Sequence, residues 1–588
     1  MASWQISRQP IRQGGAALLI VLAVATGTLA LSQRQSWTRS DHDQAAFSAG
    51  ADVRVDAIQP LSAAQAAGVV GLPGVRHAMP VARFPQTENG SEVIALNSSQ
   101  VADVALQRAD QSPADPAAVF GKIARTGPPP GVALPGRAAV VQLTARLGPA
   151  SLGLAPVTVN VSVTDADNNV YELDAGQLPA DGRDHTLSVN LANQVGGSGS
   201  GPGAAIYPLR LTSVSLDYTL PAKKPAGVAT FTVDGYSAGP GTSQVAGAAL
   251  RGWPAAASST ELADVQGTSP GTKGPAALPA AKAAGASGTA YSVTLDTGYG
   301  LAQGAGGAPP SSLAAELTLT GTPPATAALP AIATQRFLAA TSTSVGSVVQ
   351  TAINGAVLSV KIVGQVTTFP TVSDGGGALL VDLGSLQDRL TSGSLTPAQP
   401  GQWWLATSGG TSGPSAGPAG LAGELPPGSD VTSAAGLATG LLTDPLSTVP
   451  QQALLVVAIA AAVLAITGFC VSIAAGVRQR RAENALLAAL GVPPRSAAGQ
   501  LCLEKLMLSL PSAVAGLILG VVLAELLVPA ITLTSSATTP VPPVLIQFGW
   551  AQTLPLALAV AVLPVLAAAF TIARRPDPAA ALRAAEAA

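Results

Sequence analysis

Four apolar stretches constrain this chain more than anything else in it. A helix crossing a bilayer needs about 20 consecutive apolar residues, because each adds about 1.5 Å to a hydrocarbon core about 30 Å thick. Gly15–Ser32, Ala453–Val477 and Ala551–Ala573 carry no charge, and Leu506–Ile531 carries one acid, Glu525. Lys and Arg mark the cytoplasmic flanks of such spans. Arg8 and Arg12 precede the first, Arg478, Arg480, Arg481, Arg495 and Lys505 lie between the second and third, and Arg574, Arg575 and Arg583 follow the fourth. If every stretch spans, these three groups share one side. Both termini are then cytoplasmic, and the segment from 33 to 450 is outside, as is a short loop at 534–550. The first stretch is longer than a signal-peptide core, and its only A-x-A match, Ala23–Val24–Ala25, lies inside it. It reads as an uncleaved anchor; cleavage would leave three spans and an outer N-terminus.

Composition narrows the possible functions. Only 11% of the 588 residues are charged and the net charge is −2, which argues against a nucleic-acid partner, since phosphates call for a basic surface. The two cysteines, Cys470 and Cys502, lie in or beside the apolar stretches, so neither a disulfide framework nor a Cys-based metal site is expected. His42, His77 and His185 are scattered. No paired acids or clustered His and Cys suggest a catalytic site, and no cofactor is expected. Asp165, Asp167, Asn168 and Asn169 crowd one loop. Either they form a polar turn or they offer oxygens to Ca²⁺; a single short loop supplies few ligands, which favours the turn.

The outer region reads as a two-part α+β core domain, 48–125 with 325–450, carrying an inserted β-sandwich at 135–240. In the first part, Asp52–Ala57 alternates like a strand, Ser62 caps a short helix through Val70, and extended segments follow at Arg76–Phe84 and Glu92–Asn97. In the second, Ile332–Ala340 reads as helix. Ser347–Thr351 and Ala356–Val366 form a hairpin at Asn354–Gly355, Ala378–Leu383 a strand and Leu386–Leu390 the start of a helix, and Trp403 and Trp404 sit in an extended segment. Between the parts, Val157, Val159, Val161 and Val163 alternate with polar residues, as do Leu187, Val189 and Leu191. Leu209 and Leu211 give way to Val214, Leu216 and Tyr218 after a one-residue slip that predicts a bulge. Phe231 and Val233 give a further strand. Residues 241–290, poor in large apolar side chains, read as a linker, and Tyr291–Asp296 and Ala315–Thr320 as strands returning to the sandwich or the core. Aromatics make up only 4% of the chain, a thin basis for sugar binding by the sandwich; a spacer or protein-contact role is the plainer expectation.

The loop at 478–505 is the most informative segment. In Arg478-Gln-Arg-Arg-Ala-Glu-Asn-Ala-Leu-Leu-Ala-Ala-Leu-Gly-Val-Pro-Pro-Arg495, Arg480 and Glu483 can pair on one helical face, while Leu486, Leu487 and Leu490 line an apolar stripe. Gly491 suits a helix C-cap and Pro493 stops continuation. A second helix runs through Gln500 and Glu504 into the third span. The short helix is either a simple interfacial helix or a docking surface for a cytoplasmic partner.

This loop resembles that of the FtsX/MacB-like permeases of ABC transport systems, which carry an R-x-R-E-x-x-x-L-x-A-L-G-type run after their second span. Arg480, Arg481, Glu483, Leu487, Ala489, Leu490 and Gly491 stand in a similar arrangement, and Glu504 matches the acid entering the third span. The ending Arg574–Arg583 resembles the family's terminal pattern. The layout of one span, a large outer domain and three more spans is also similar, and Leu72–Val75 and Val360–Pro370 look like pieces of the split outer core. More loosely, the chain resembles half of longer actinobacterial permeases. The sandwich lies outside the resemblance.

The resemblance implies a permease subunit whose coupling residues are Arg480, Arg481, Glu483, Leu486, Leu487, Leu490, Gly491 and Glu504. A separate cytoplasmic P-loop ATPase would dock there and drive export of a lipid, lipoprotein, peptide or drug-like substrate. No G-x-x-x-x-G-K-[ST] phosphate loop occurs in the chain, so an ATPase is expected in trans. With four spans per chain, a homodimer, or a heterodimer with a second permease, is expected within membrane lipid. One alternative is an FtsX-like mechanical regulator of a cell-wall hydrolase or sensor. Another is a membrane-anchored carbohydrate- or protein-binding module. Glu525, near the outer end of its span, reads as an interfacial acid rather than a buried functional one. Pro511, Pro555 and Pro564 are either kinks or tolerated prolines.

Overall fold

The computed structural model describes residues 10–86, 90–152, 154–191, 205–221, 227–239, 242–258, 282–296, 312–322, 327–372, 376–393, 395–409, 423, 425–479, 494–531 and 540–573. The chain divides into two compact units. One combines the N-terminal helix through Ala45 with the helices from Ala438 onward, and the other is Ala46–Leu437.

The outer unit begins at the end of α1 (Pro10–Ala49), a helix of 40 residues. It is longer than the expected span of 15–32. Nothing in 33–49 breaks a helix: there is no Gly or Pro before Gly50, and Arg39 pairs with Asp43 one turn on at 3.6 Å. At about 1.5 Å per residue α1 is about 60 Å long, twice what the hydrocarbon core requires.

After β1 (Val53–Asp56) comes α2 (Ala63–Val70), held by a capping box between Ser62 and Gln65. Then follow β2 (Val75–Pro85), β3 (Glu92–Leu96), α3 (Val101–Val104) and α4 (Pro116–Phe120). A long run of strands comes next: β4 (Val132–Ala133), β5 (Val140–Gly148), β6 (Val157–Thr164), β7 (Val170–Leu178), β8 (His185–Asn190), β9 (Arg210–Pro221), β10 (Val228–Ser237), β11 (Val245–Ala246), β12 (Ala255–Ser258), β13 (Lys282–Ser287), β14 (Ala290–Asp296) and β15 (Ser312–Thr320). The chain then continues through β16 (Leu329–Thr334), α5 (Gln335–Thr341), β17 (Val348–Ile353), β18 (Ala356–Val366), β19 (Ala378–Asp382), α6 (Leu383–Ser392), β20 (Gln402–Thr407) and β21 (Asp430–Ser433).

Both ends of this unit enter one nine-stranded sheet, in the order β17-β18-β16-β19-β3-β2-β20-β1-β21. Two pairs are parallel, β16 with β18 and β19 with β3. Its central strands are buried on both faces. Ile94 and Leu96 pack with Val119, Phe120 and Trp404 on one side. Their neighbours Val93 and Ala95 pack with Phe337, Leu386 and Leu390 on the other. This explains one correction: Ile332, expected in a helix, lies in β16, and the helix starts only at Gln335. A strand covered on both faces lacks the alternation that would announce it. The hairpin at Asn354–Gly355 is present, with φ of 51° and 80°, as a turn with two left-handed residues requires.

The strands β4–β15 form two further antiparallel sheets, β13-β14-β10-β5-β8 with β11 on β10, and β12-β15-β9-β6-β7 with β4 on β9. Val141, Leu143, Phe231 and Val233 from one and Val159, Val161, Leu216 and Leu317 from the other share a single core. Each such buried side chain contributes about 1.5–3 kcal/mol relative to an exposed one. The slip after Leu211 is a register shift opposite Ser162/Val163. The strands run past 240. Of the stretch 241–290, residues 245–246, 255–258 and 282–287 pair within these sheets rather than forming a linker. β12 and β13 are the edge strands of their sheets.

The other unit contains α1 through Ala45, α7 (Ala434–Thr443) from Ala438 onward, α8 (Pro445–Gln479), α9 (Pro494–Ile531) and α10 (Trp550–Ala573). Among the described residues three segments are long and apolar enough to cross a membrane, Gly14–Ala49, Thr448–Ala475 and Cys502–Ile531, while α10 contributes a shorter apolar run, Trp550–Leu566. The protein is therefore membrane-embedded.

Candidate functional site

Two places bear on function: the helices of the membrane unit and the root of the outer unit.

In the membrane unit, α1 is packed through small residues. Ala16, Ile20, Ala23 and Val24 meet Ala465 and Phe469 of α8, Ala513 of α9 and Ala557, Val560 and Ala561 of α10. Gly516 and Gly520 of α9 stand four apart on the side facing α1. A Cβ on Gly516 would lie 2.7 Å from the Val21 carbonyl oxygen, and one on Gly520 would lie 2.6 Å from Thr28 Cβ. Such small-xxx-small faces let helix backbones approach where no hydrophobic effect draws them together. The outward faces are apolar: Val456, Ile459, Val463 and Leu464 on α8, and Met507, Leu510, Val514, Ile518 and Leu526 on α9, are exposed. A stripe of this size is a lipid- or protein-facing surface.

Of the predicted coupling residues, Arg480, Arg481, Glu483, Leu486, Leu487, Leu490 and Gly491 lie outside the described residues. Glu504 lies in α9, its carboxylate 3.9 Å from the Lys505 ammonium.

The root of the outer unit is where α1 ends. A helix leaves its last four carbonyls without partners, and here all four are taken. Ala46 O accepts from Gly50 N (2.9 Å) and Phe47 O from Thr371 N (2.7 Å). Ser48 O (2.6 Å) and Ala49 O (3.3 Å) accept from Arg54 Nη1. Arg54 is fixed from behind, its Nε donating to Asp56 Oδ2 (2.8 Å), and Gln402 Nε2 donates to Asp56 Oδ1 (2.5 Å). Thr371 has φ of 66°, a left-handed conformation that is strained for a β-branched residue. Arg83 holds it there, donating to Thr371 Oγ1 and to Glu92 (3.1 Å). Burial pushes the Arg83 guanidinium below its ordinary range, opposed by the nearby Glu92 carboxylate, and lifts the Glu92 carboxyl above its own.

Gly50 completes the turn. Its φ is +86°, and a Cβ would lie 2.7 Å from Thr371 Cγ2 and 2.9 Å from the Trp404 ring. The second link to the membrane unit starts beside the first: β21 pairs with β1, Ser433 opposite Val53, and Ala434 N donates to Asp52 O (3.0 Å). Sequence reasoning missed this root. Its one local signal is the pair of charges at Arg54 and Asp56 in an otherwise apolar strand.

The crowded loop at Asp165 is a polar turn. Asp165 Oδ1 accepts from Asp167 N and Asn169 N, and Oδ2 from Asn169 Nδ2 and the Tyr171 hydroxyl, at 2.8–2.9 Å. Protein donors thus occupy both oxygens. Asn97 Nδ2 and Gln100 Nε2 then bind Asp167 (2.8 Å each), tying the loop to the segment after β3.

Among curated proteins none matches the chain. Residues 455–576, from within α8 to just past α10, match the FtsX-like permease C-terminal family, so the membrane-embedded end of this chain is similar to the FtsX-like permeases.

Proposed function

We propose that the chain is the permease subunit of an ABC-type system. A separate cytoplasmic P-loop ATPase docks on Arg480, Arg481, Glu483, Leu486, Leu487, Leu490, Gly491 and Glu504 and moves the helices. The outer unit turns that motion into export of a lipid, lipoprotein, peptide or drug-like substrate. In this reading α10 is the fourth span, both termini are cytoplasmic, the paired sheets are a sandwich inserted into the nine-stranded core domain, and two permease chains form the working unit.

The observation that carries the reading is the root of α1. A long unbroken helix ends with every terminal carbonyl bonded inside the outer unit. The return link leaves from the neighbouring strand. Displacement of α1 along its axis therefore loads Arg54 and Thr371 rather than a slack linker.

The test is capture of a P-loop ATPase by the affinity-tagged full chain from its native membranes, with ATP hydrolysis as readout. Replacing Glu483→Ala together with Leu487→Ala is expected to abolish capture. Arg54→Met is expected to leave capture intact but to disconnect hydrolysis from substrate release. Failure to capture any such ATPase, or full capture by the double variant, overturns the reading.

A further inference from the structure

In the outer unit a cavity of about 320 Å³ opens where β9 and the loop at Asp165 meet α6 and the segment before β4. Pro129, Pro130 and Pro208 supply apolar walls, and Arg125, Arg210, Thr322 and Asp388 supply polar ones.

Thr322 and Arg210 are incompletely satisfied. Thr322 is 5% exposed, and among the described residues its buried Oγ1 has no hydrogen-bond partner; buried hydroxyls nearly always have one. Arg210 donates through Nε to Pro130 O (2.8 Å) and through Nη2 to Gly131 O (2.6 Å), both neutral acceptors. Among the described residues no carboxylate pairs with it. A half-buried guanidinium without a counter-charge favours an anion.

Arg125 is differently placed. It forms an ion pair with Asp388, Nη2 donating to Oδ1 at 3.0 Å while Nε lies 2.9 Å from Oδ2 without hydrogen-bonding geometry. Gly384 makes room for it: a Cβ there would lie 2.6 Å from Arg125 Nη2 and 3.0 Å from Asn168 Oδ1. The carboxylate of Asp388 is thereby fixed at the wall as an acceptor.

We propose that this cavity binds a small hydroxylated organic anion, a carboxylate or a phosphate monoester. Arg210 takes its charge, Thr322 hydrogen-bonds an anionic oxygen, and Asp388 accepts from the ligand's hydroxyl. The inference does not rest on the transport reading, since the cavity lies wholly within the outer unit.

Titration calorimetry on the full chain in detergent tests it, with L-malate, glycerol 3-phosphate and inorganic phosphate as probes and erythritol as the uncharged control. At least one of the two organic anions is expected to saturate, and erythritol is not. Arg210→Gln should weaken binding by about tenfold or more, and Thr322→Val, which keeps the shape and removes the hydroxyl, by about threefold or more. The proposal is overturned if neither organic anion saturates, if erythritol binds as well as they do, or if binding is unchanged in the Thr322→Val protein. That last variant decides the matter even where Arg210→Gln fails to fold. Phosphate binding equal to that of the organic anions identifies an adventitious ion only.

Discussion

The nine-stranded sheet and the paired six-stranded sheets bury similar strands in opposite ways. Each paired sheet turns one face to the shared core, so β5 reads buried and half-buried by turns. The nine-stranded sheet is covered on both faces, and β19, Ala-Leu-Leu-Val-Asp, is buried at every position. One-sided burial writes a period of two into the sequence, whereas two-sided burial writes only a short apolar run. The difference also divides labour. The two-sided sheet holds the end of α1 and the start of the return link, while the paired sheets pack chiefly on themselves.

Breaking the root should therefore damage one region and spare the other. Gly50→Val forces a β-branched residue to positive φ and drives its Cβ into Thr371 and Trp404. Strain and overpacking together should cost more than about 4 kcal/mol. Hydrogen–deuterium exchange should show protection lost in β1, β20 and β21 and kept in β5, β6 and β10. Equal loss in both sets would mean that the two regions unfold as one. Phe231→Ala reverses the pattern. Phe231 is fully buried in the core of the paired sheets, and its truncation should cost about 3–5 kcal/mol, with the loss confined to β5, β10 and β14.

A milder probe is Arg54→Met, which keeps most of the side-chain volume but removes the donors to Ser48 O and Ala49 O and leaves Asp56 without its ion pair. A cost of about 2–3 kcal/mol is expected, read as faster exchange at 46–54 with little change elsewhere. If 46–49 kept its protection, the root would not hold the helix end.

How far the sequence predicted each region follows from the same contrast. Val157–Val163 announced a strand, and the slip at Leu211 announced its bulge, because one face of each strand is wet or polar. Ile332 was misread because β16 has no such face. The length of α1 was readable in the unbroken run to Gly50, but hydropathy marks only its apolar half. The root was not legible: Arg54 acts on Ser48 nearby, but Thr371, Gln402 and Trp404 reach it only through the fold. The same holds for the cavity, whose walls come from segments separated by more than 200 residues in number, such as Arg125 and Asp388.

The smallest effect is a pH response at the wall where these segments meet. Burial, opposed by the Arg125 guanidinium, lifts the Asp388 carboxyl to about 6 from an ordinary value of 3.8. The folded state thus binds this proton more tightly than the unfolded chain does. Its contribution to stability is fully present below the unfolded value and is lost as pH rises through about 6. Between pH 7 and pH 5 the outer unit should gain about 1 kcal/mol from this group. Asp165, lifted by burial to about 7, acts in the same direction. In Asp388→Asn the gain on acidification should shrink without vanishing, because Asp165 still titrates. Urea midpoints followed by intrinsic tryptophan fluorescence at the two pH values measure it. An unchanged pH slope in the variant would show that Asp388 ionises there as freely as in water, and that α6 does not close against the loop at Asp165.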